Sequence, residues 1–388
     1  MKILPFKKLP RYARNLIIYY TIAEPGVIGY VIFNAYLFKL GYSVIYVGGI
    51  ISASSFLSAA LLPLLGYLSD KRINAKYYLM VLETLVGISF LIYAVAYNGA
   101  WIFMGRILFS TAMLFSFSYS VYEREVYTEE IMEEIYVWHW ILPSLGGMVS
   151  YLAGFIYFSI FPNVQAMRLY YLLFGTMFPF FVVYIYFYLP NLPIYRKREK
   201  LIIPRRFLKI LITFILFNLT SYFLFGIALD NLIINYFGAG VAIIVFLSLG
   251  DSVLSFLSSI LKAHISQEIW PRLPYLSIGG MGIIAILLFL LDYFKLATIL
   301  LFILFYLLIA FLYPLWHMGF KPLLQSSIPR EYRGTIFSSL SSLTRIINIP
   351  LAFITALIIS IWSAFSPLLL AGILAFLTLV ALHITVGK

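Results

Sequence analysis

The sequence has 388 residues, 63% of them hydrophobic and 11% charged, far below the roughly 25% charged share of soluble domains. Its mean hydropathy of +0.99 excludes water as the main solvent. The formal charge of +12 would suit nucleic acid, but the cations sit between apolar runs, and the absence of cysteine excludes disulfides and thiolate chemistry. In chain order, the opening MKILPFKKLPRYAR is basic but has no short apolar core followed by a small-residue cleavage site, so it reads as a cytoplasmic tail. Apolar runs of about 20 residues, enough to cross about 30 Å of hydrocarbon, then recur to the end of the chain. They predict spans at 15–38, 44–68, 77–97, 101–121, 137–161, 169–189, 207–236, 241–264, 273–293, 297–318, 334–360 and 366–385. The loops after spans one, three, seven and eleven are very short, which forces antiparallel neighbours and favours an even count. The expected fold is an all-α integral membrane protein of twelve transmembrane helices.

With both termini in the cytoplasm, 22 of the 27 Lys and Arg lie at the inner side, and only Lys39, Arg168 and Lys295 lie outside. The positive-inside rule therefore places both ends in the cytoplasm of a multi-pass protein, expected in the cell membrane. The largest basic cluster, IYRKREKLIIPRR, divides the chain near its middle. It reads as a linker over 191–206, between an N-terminal bundle at 1–190 and a C-terminal bundle at 207–388; contact with anionic lipid is an equally natural role for it.

A shift of 197 residues lays one half on the other. Gly29, Asn34 and Gly41 fall on Gly226, Asn231 and Gly238, Ser69 falls on Ser266, and Ile131 and Glu134 fall on Ile328 and Glu331. A constant offset that carries polar and glycine matches through loops points to two six-helix repeats running parallel to one another.

At the end of span two, residues 66–76 read GYLSDKRINAK. Gly66, Asp70, Lys71 and Lys76 resemble the loop motif of the major facilitator superfamily, with Ile73 and Ala75 as departures. Arg106 in span four, the PSLGG at Pro143 to Gly147 and the IPREYRG at Ile328 to Gly334 extend the resemblance over most of the chain. It implies secondary transport by alternating access. It also implies that Asp70 and Lys71 help close the cytoplasmic side, the acid facing the start of span eleven, where a helix N-terminus favours negative charge.

Ionisable side chains at bilayer depth are costly and by default mark a functional path. Glu24, Asp251 and Arg345 each lie ten or eleven residues into their spans, which at about 1.5 Å per residue puts all three about 15 Å deep, near the midplane. Arg106, Asp230 and Asn34 sit nearer the outer surface, and Glu83 sits in the inner third of span three. A carboxyl in a water-poor cleft can load a proton on one side and release it on the other, whereas a neighbouring arginine keeps it ionised. Two readings follow: proton coupling or substrate contact through Glu24 and Asp251, or a structural ion pair between Arg345 and one of them. Glu24 precedes Pro25, whose missing N–H opens the helix beside the acid, and it is the first choice.

Asn34 and Asn231, with Asp230 beside the latter, line an outer gate or cap helix ends toward water. His139 and His317, next to tryptophans, read as interfacial anchors. The glutamates between Glu123 and Tyr136 form a solvated turn or a latch to basic segments. Asn218 to Thr220 matches a glycosylation sequon inside span seven, where it has no meaning.

The expected function is proton-coupled movement of a small organic solute by a monomer in the bilayer, with no metal and no cofactor beyond the proton. Sodium coupling and facilitated diffusion are alternatives. From another class, an intramembrane enzyme has only Ser248 to Asp251 as a partial aspartyl-protease motif, with no HExxH, GxSxG or GxxxxGK[ST] elsewhere, and a lipid scramblase stays open.

Overall fold

The computed structural model describes residues 5–59, 61, 75–127, 131–191, 205–264, 269, 272–326 and 333–386, and among them the regular structure is helical, with no strand. In the N-terminal half the helices are α1 (Arg11–Val31), α2 (Phe33–Lys39), α3 (Val44–Ala59), α4 (Ala75–Val95), α5 (Gly99–Leu114), α6 (Phe117–Val126), α7 (Met132–Ile160) and α8 (Val164–Tyr188). The C-terminal half holds α9 (Arg205–Phe225), α10 (Ile227–Asn231), α11 (Val241–His264), α12 (Leu273–Tyr293), α13 (Ile299–Ser326), α14 (Arg333–Ile361) and α15 (Ser366–Val386). Among the described residues nine helical stretches are long and apolar enough to cross a membrane, and three shorter apolar helices, Val44–Ala59, Gly99–Leu114 and Ile346–Ile361, accompany them. The protein is a multi-pass helical membrane protein.

The chain divides into two compact units, one comprising Met1–Tyr36 and Ala53–Glu199, the other Leu37–Ser52 and Lys200–Lys388. In the first unit α1 packs on α7 and α8, and α4 on α5 and α8. Two of these contacts depend on a missing Cβ: Gly87 of α4 takes the Phe178 side chain of α8 against its backbone, and Gly146 of α7 lies against Thr21 of α1. In the second unit α15 packs on α9 and α12, and α13 on α11 and α12. Ser52 and Phe353, both in this unit, are joined by a 3.0 Å bond from the Phe353 N–H to the Ser52 hydroxyl oxygen, one turn beyond Pro350 in α14.

The first helix of each half is interrupted rather than straight. Pro25 lies inside α1, and a turn at Ile32 separates α1 from α2. Gly226 separates α9 from α10, which runs into a π-helix at Leu232–Tyr236. The predicted span 101–121 is likewise split, at Phe115 and Ser116.

Both interrupted helices stop at glycine. Gly41 has φ +88° and Gly238 has φ +62°, the two positive-φ glycines among the described residues. At Gly41 the Tyr42 N–H donates to the Leu37 carbonyl (3.1 Å) and the Gly41 N–H to the Phe38 carbonyl (2.9 Å), a Schellman stop. At Gly238 the Ala239 N–H reaches back to the Ile233 carbonyl (2.9 Å), one residue further, because the preceding turn is π-helical. The 197-residue spacing of the sequence repeat thus recurs as a shared backbone conformation.

Candidate functional site

Glu24 stands one residue before Pro25 in α1. Proline removes the N–H that would bond to the Thr21 carbonyl, and Gly146 lets α7 come close there: a Cβ on that glycine would lie 2.9 Å from the Thr21 oxygen. The opened turn is held from α8, where the Tyr170 hydroxyl donates to the Pro25 carbonyl (2.6 Å) and the Tyr171 hydroxyl to the Gly29 carbonyl (2.9 Å). Within this braced turn the Glu24 side chain is half-buried and has no hydrogen-bond or ion-pair partner among the described residues. A partly dried carboxyl without a fixed partner can exchange a proton or meet a solute.

In the same unit, the Arg106 guanidinium of α5 lies 4.6 Å from the centroid of the Phe33 ring and 5.1 Å from that of Phe109. Its Nε is buried without a hydrogen-bond acceptor. Among the described residues no carboxylate lies within ion-pair distance, so Arg106 and Glu24 are not paired with each other.

In the second unit, Asp251 on α11 accepts a 2.8 Å hydrogen bond from the Tyr306 hydroxyl of α13. Phe225 meets Tyr306 and Tyr313 edge-on, and Phe217 stacks on Trp316, so the acid is set beside an aromatic wall built by α9 and α13. Arg345 belongs to α14, but its side chain falls outside the described residues.

The residues expected at an outer gate are placed unequally. Asp230 and Asn231 of α10 are only 6% and 5% exposed, with Asn235 donating from its side-chain amide to the Asn231 Oδ1 (2.9 Å), whereas Asn34 of α2 is half-buried. Of the cytoplasmic motif, Gly66, Asp70 and Lys71 lie outside the described residues, as do residues 328–332. Lys76 is described: its ammonium sits 5.1 Å from the Tyr186 ring centroid in the first unit.

A second acid cluster surrounds Glu83, which the sequence marks as an ionisable side chain inside span three without naming its partners. Glu83, buried on α4, accepts hydrogen bonds from the Tyr19 hydroxyl of α1 and, at 3.5 Å, the Tyr119 hydroxyl of α6. Nearby, the Tyr20 hydroxyl donates to Glu123 (3.0 Å), and His139 Nδ1 is 2.6 Å from the Tyr127 hydroxyl, so His139 is bonded inward rather than serving only as an interfacial anchor. A buried phenol needs a polar partner, which is the available signal, but the chain has 31 tyrosines and the pattern does not say which ones matter. Tyr19→Phe is expected to lower stability by about 2 kcal/mol, the cost of removing a donor from a buried carboxyl, and Tyr119→Phe by less because its bond is longer. Thermal unfolding in detergent measures both; equal melting temperatures for Tyr19→Phe and the parent would refute the cluster's structural weight.

No family model and no curated protein matches the sequence. Solved structures do match along almost the whole chain. A bacterial homologue of the iron transporter ferroportin in an inward-facing state is 13% identical, with 97% of this chain and 99% of that chain covered at a TM-score of 0.74. The POT family transporter PepTSo is 11% identical, with 97% and 98% covered at 0.70. A D-xylose-proton symporter is 12% identical, with 96% and 97% covered at 0.66. At these identities the likeness speaks for the fold alone, and the chain shares the fold of these solved transporters.

Proposed function

We propose that the protein is a secondary active transporter that moves a small organic solute across the cell membrane by alternating access, with the proton as coupling ion. The observation that carries this reading is Glu24: a half-buried carboxyl, unpartnered among the described residues, beside a proline break on a chain with a transporter fold. A D-xylose-proton symporter among the structural neighbours is a precedent for such coupling in this fold. The nine long and three shorter apolar helices support twelve spans, and the 22 inner cations support cytoplasmic termini. In this reading the protein is not an enzyme and works as a monomer of two six-helix bundles joined by the basic linker. Glu24 and Asp251 carry protons or touch solute together with Arg345 and Arg106; Asn34, Asp230 and Asn231 line the outer gate; Gly66, Asp70, Lys71 and Lys76 form the cytoplasmic gate.

Purified protein in vesicles is expected to take up a solute from a mixed panel of sugars, amino acids, organic acids and organic cations, and to concentrate it only under a pH gradient. Concentration driven by a sodium gradient, or equilibration with no gradient effect, would reject proton coupling and leave transport standing. Absence of any flux, together with hydrolysis of lipid or peptide, would reject the transporter reading itself.

A further inference from the structure

The two kinds of charge inside the membrane-spanning helices differ in one respect. A carboxyl can shed its charge by taking a proton, but a guanidinium stays charged at every accessible pH. Glu24 can therefore rest neutral and Asp251 has the Tyr306 hydroxyl, while Arg106 must be met by something at all times. What meets it is aromatic: Phe33 on α2 and Phe109 one turn along α5, both buried, and Tyr93, whose hydroxyl faces the guanidinium but makes no hydrogen bond of normal geometry. Ring faces attract a cation, but they give back only a fraction of the hydration that a guanidinium loses at this depth. The Nε is sealed off with no acceptor, and the side chain as a whole remains only half-buried, so a ligand can reach the rest of the fork. No carboxylate of the described chain stands within ion-pair distance.

We propose that Arg106 is an anion-binding residue and that the transported solute is an organic anion whose carboxylate or phosphate oxygens dock on its guanidinium. The fork geometry suits such a group, since two parallel N–H donors match two anionic oxygens. Phe33 and Phe109 fix the plane of the fork, which makes them positioning residues. This inference rests on the transporter reading, and it adds the sign of the solute's charge.

The test uses the full chain in phosphatidylcholine vesicles free of anionic lipid. Benzoate and 2-oxoglutarate serve as anionic probes, xylose as a neutral one and tetraethylammonium as a cation. Uptake of an anionic probe is expected, with KM raised at least about tenfold in Arg106→Gln, the loss of one charge-assisted contact, and partly restored in Arg106→Lys. Uptake of xylose or tetraethylammonium alone, undiminished in Arg106→Gln, would overturn the anion assignment and spare the transporter reading. If none of these probes moves, thermal stabilisation by benzoate decides the site: a shift lost in Arg106→Gln supports it, and no anion-specific shift overturns it. If Arg106→Gln fails to fold, Phe33→Leu replaces it, with a raised KM for the anion and unchanged kcat expected; an unchanged KM overturns the site. Adding phosphatidylglycerol separates a lipid headgroup from a solute. An Arg106→Gln effect seen only with that lipid, and not relieved by benzoate, overturns the solute assignment.

Discussion

Glu24→Gln is expected to keep solute-for-solute exchange and to lose accumulation driven by a pH gradient. The substitution preserves the size and polarity of the side chain but removes the proton it can take up. In a cycle that moves one proton per solute, a gradient of one pH unit is worth about 1.4 kcal/mol, which supports about tenfold accumulation. The variant should therefore fall from about tenfold accumulation to simple equilibration, while exchange between labelled and unlabelled solute persists because the braced turn is unaltered. Tyr170 and Tyr171 bond to backbone carbonyls of α1, not to the acid, so the local fold does not depend on the carboxyl. Accumulation by the variant at the parental level would remove Glu24 from the coupling path and leave Asp251 as the remaining midplane acid.

The largest expected effect on stability comes from filling Gly87. Its α-carbon faces the Phe178 side chain so closely that an added Cβ has no room, and the ring cannot swing clear without displacing α8 from α4. Overpacking of this kind costs about 1–3 kcal/mol, and Gly87→Val adds a branched side chain to a helix as well. A large fall in the melting temperature of the detergent-solubilised protein is the expected reading. Gly49 of α3 supplies the control, since nothing lies within 4 Å of a Cβ there. Gly49→Ala should be neutral or mildly stabilising, because alanine restricts the unfolded chain and favours the helix. Indistinguishable melting of the two variants would show that the α4–α8 contact is softer than its geometry.

The positions of the helices were legible because bilayer thickness imposes a length that apolar runs declare directly. Their interruptions were less so. Pro25 announced itself by its missing N–H, but Gly226 stands in a run that otherwise reads as one helix, and glycine is ordinary in membrane helices. The break at Phe115 and Ser116 carries no local signal at all. The start of α7 at Met132 rather than near residue 137 has a physical reason: glutamates that look like loop are favourable in the first turns of a helix. The acids inside the apolar runs were visible as isolated charges. Their partners were not, because Tyr306 lies 55 residues from Asp251, and Tyr19 lies 64 from Glu83, distances at which no sequence pattern reports contact.

The bracing of α1 by α8 also has a consequence for synthesis. The bonds that tie Tyr170 to Pro25, Tyr171 to Gly29 and Tyr184 to Asn15 span 145, 142 and 169 residues of chain. At about 5–20 residues per second, the ribosome finishes α8 roughly 7–35 s after α1. For that interval the Pro25 and Gly29 carbonyls lack their partners, because Tyr170 and Tyr171 have not yet been made. The opened turn of α1 must therefore be sheltered by the insertion machinery or by water until α8 arrives, so α8 acts as a clasp that closes late on α1.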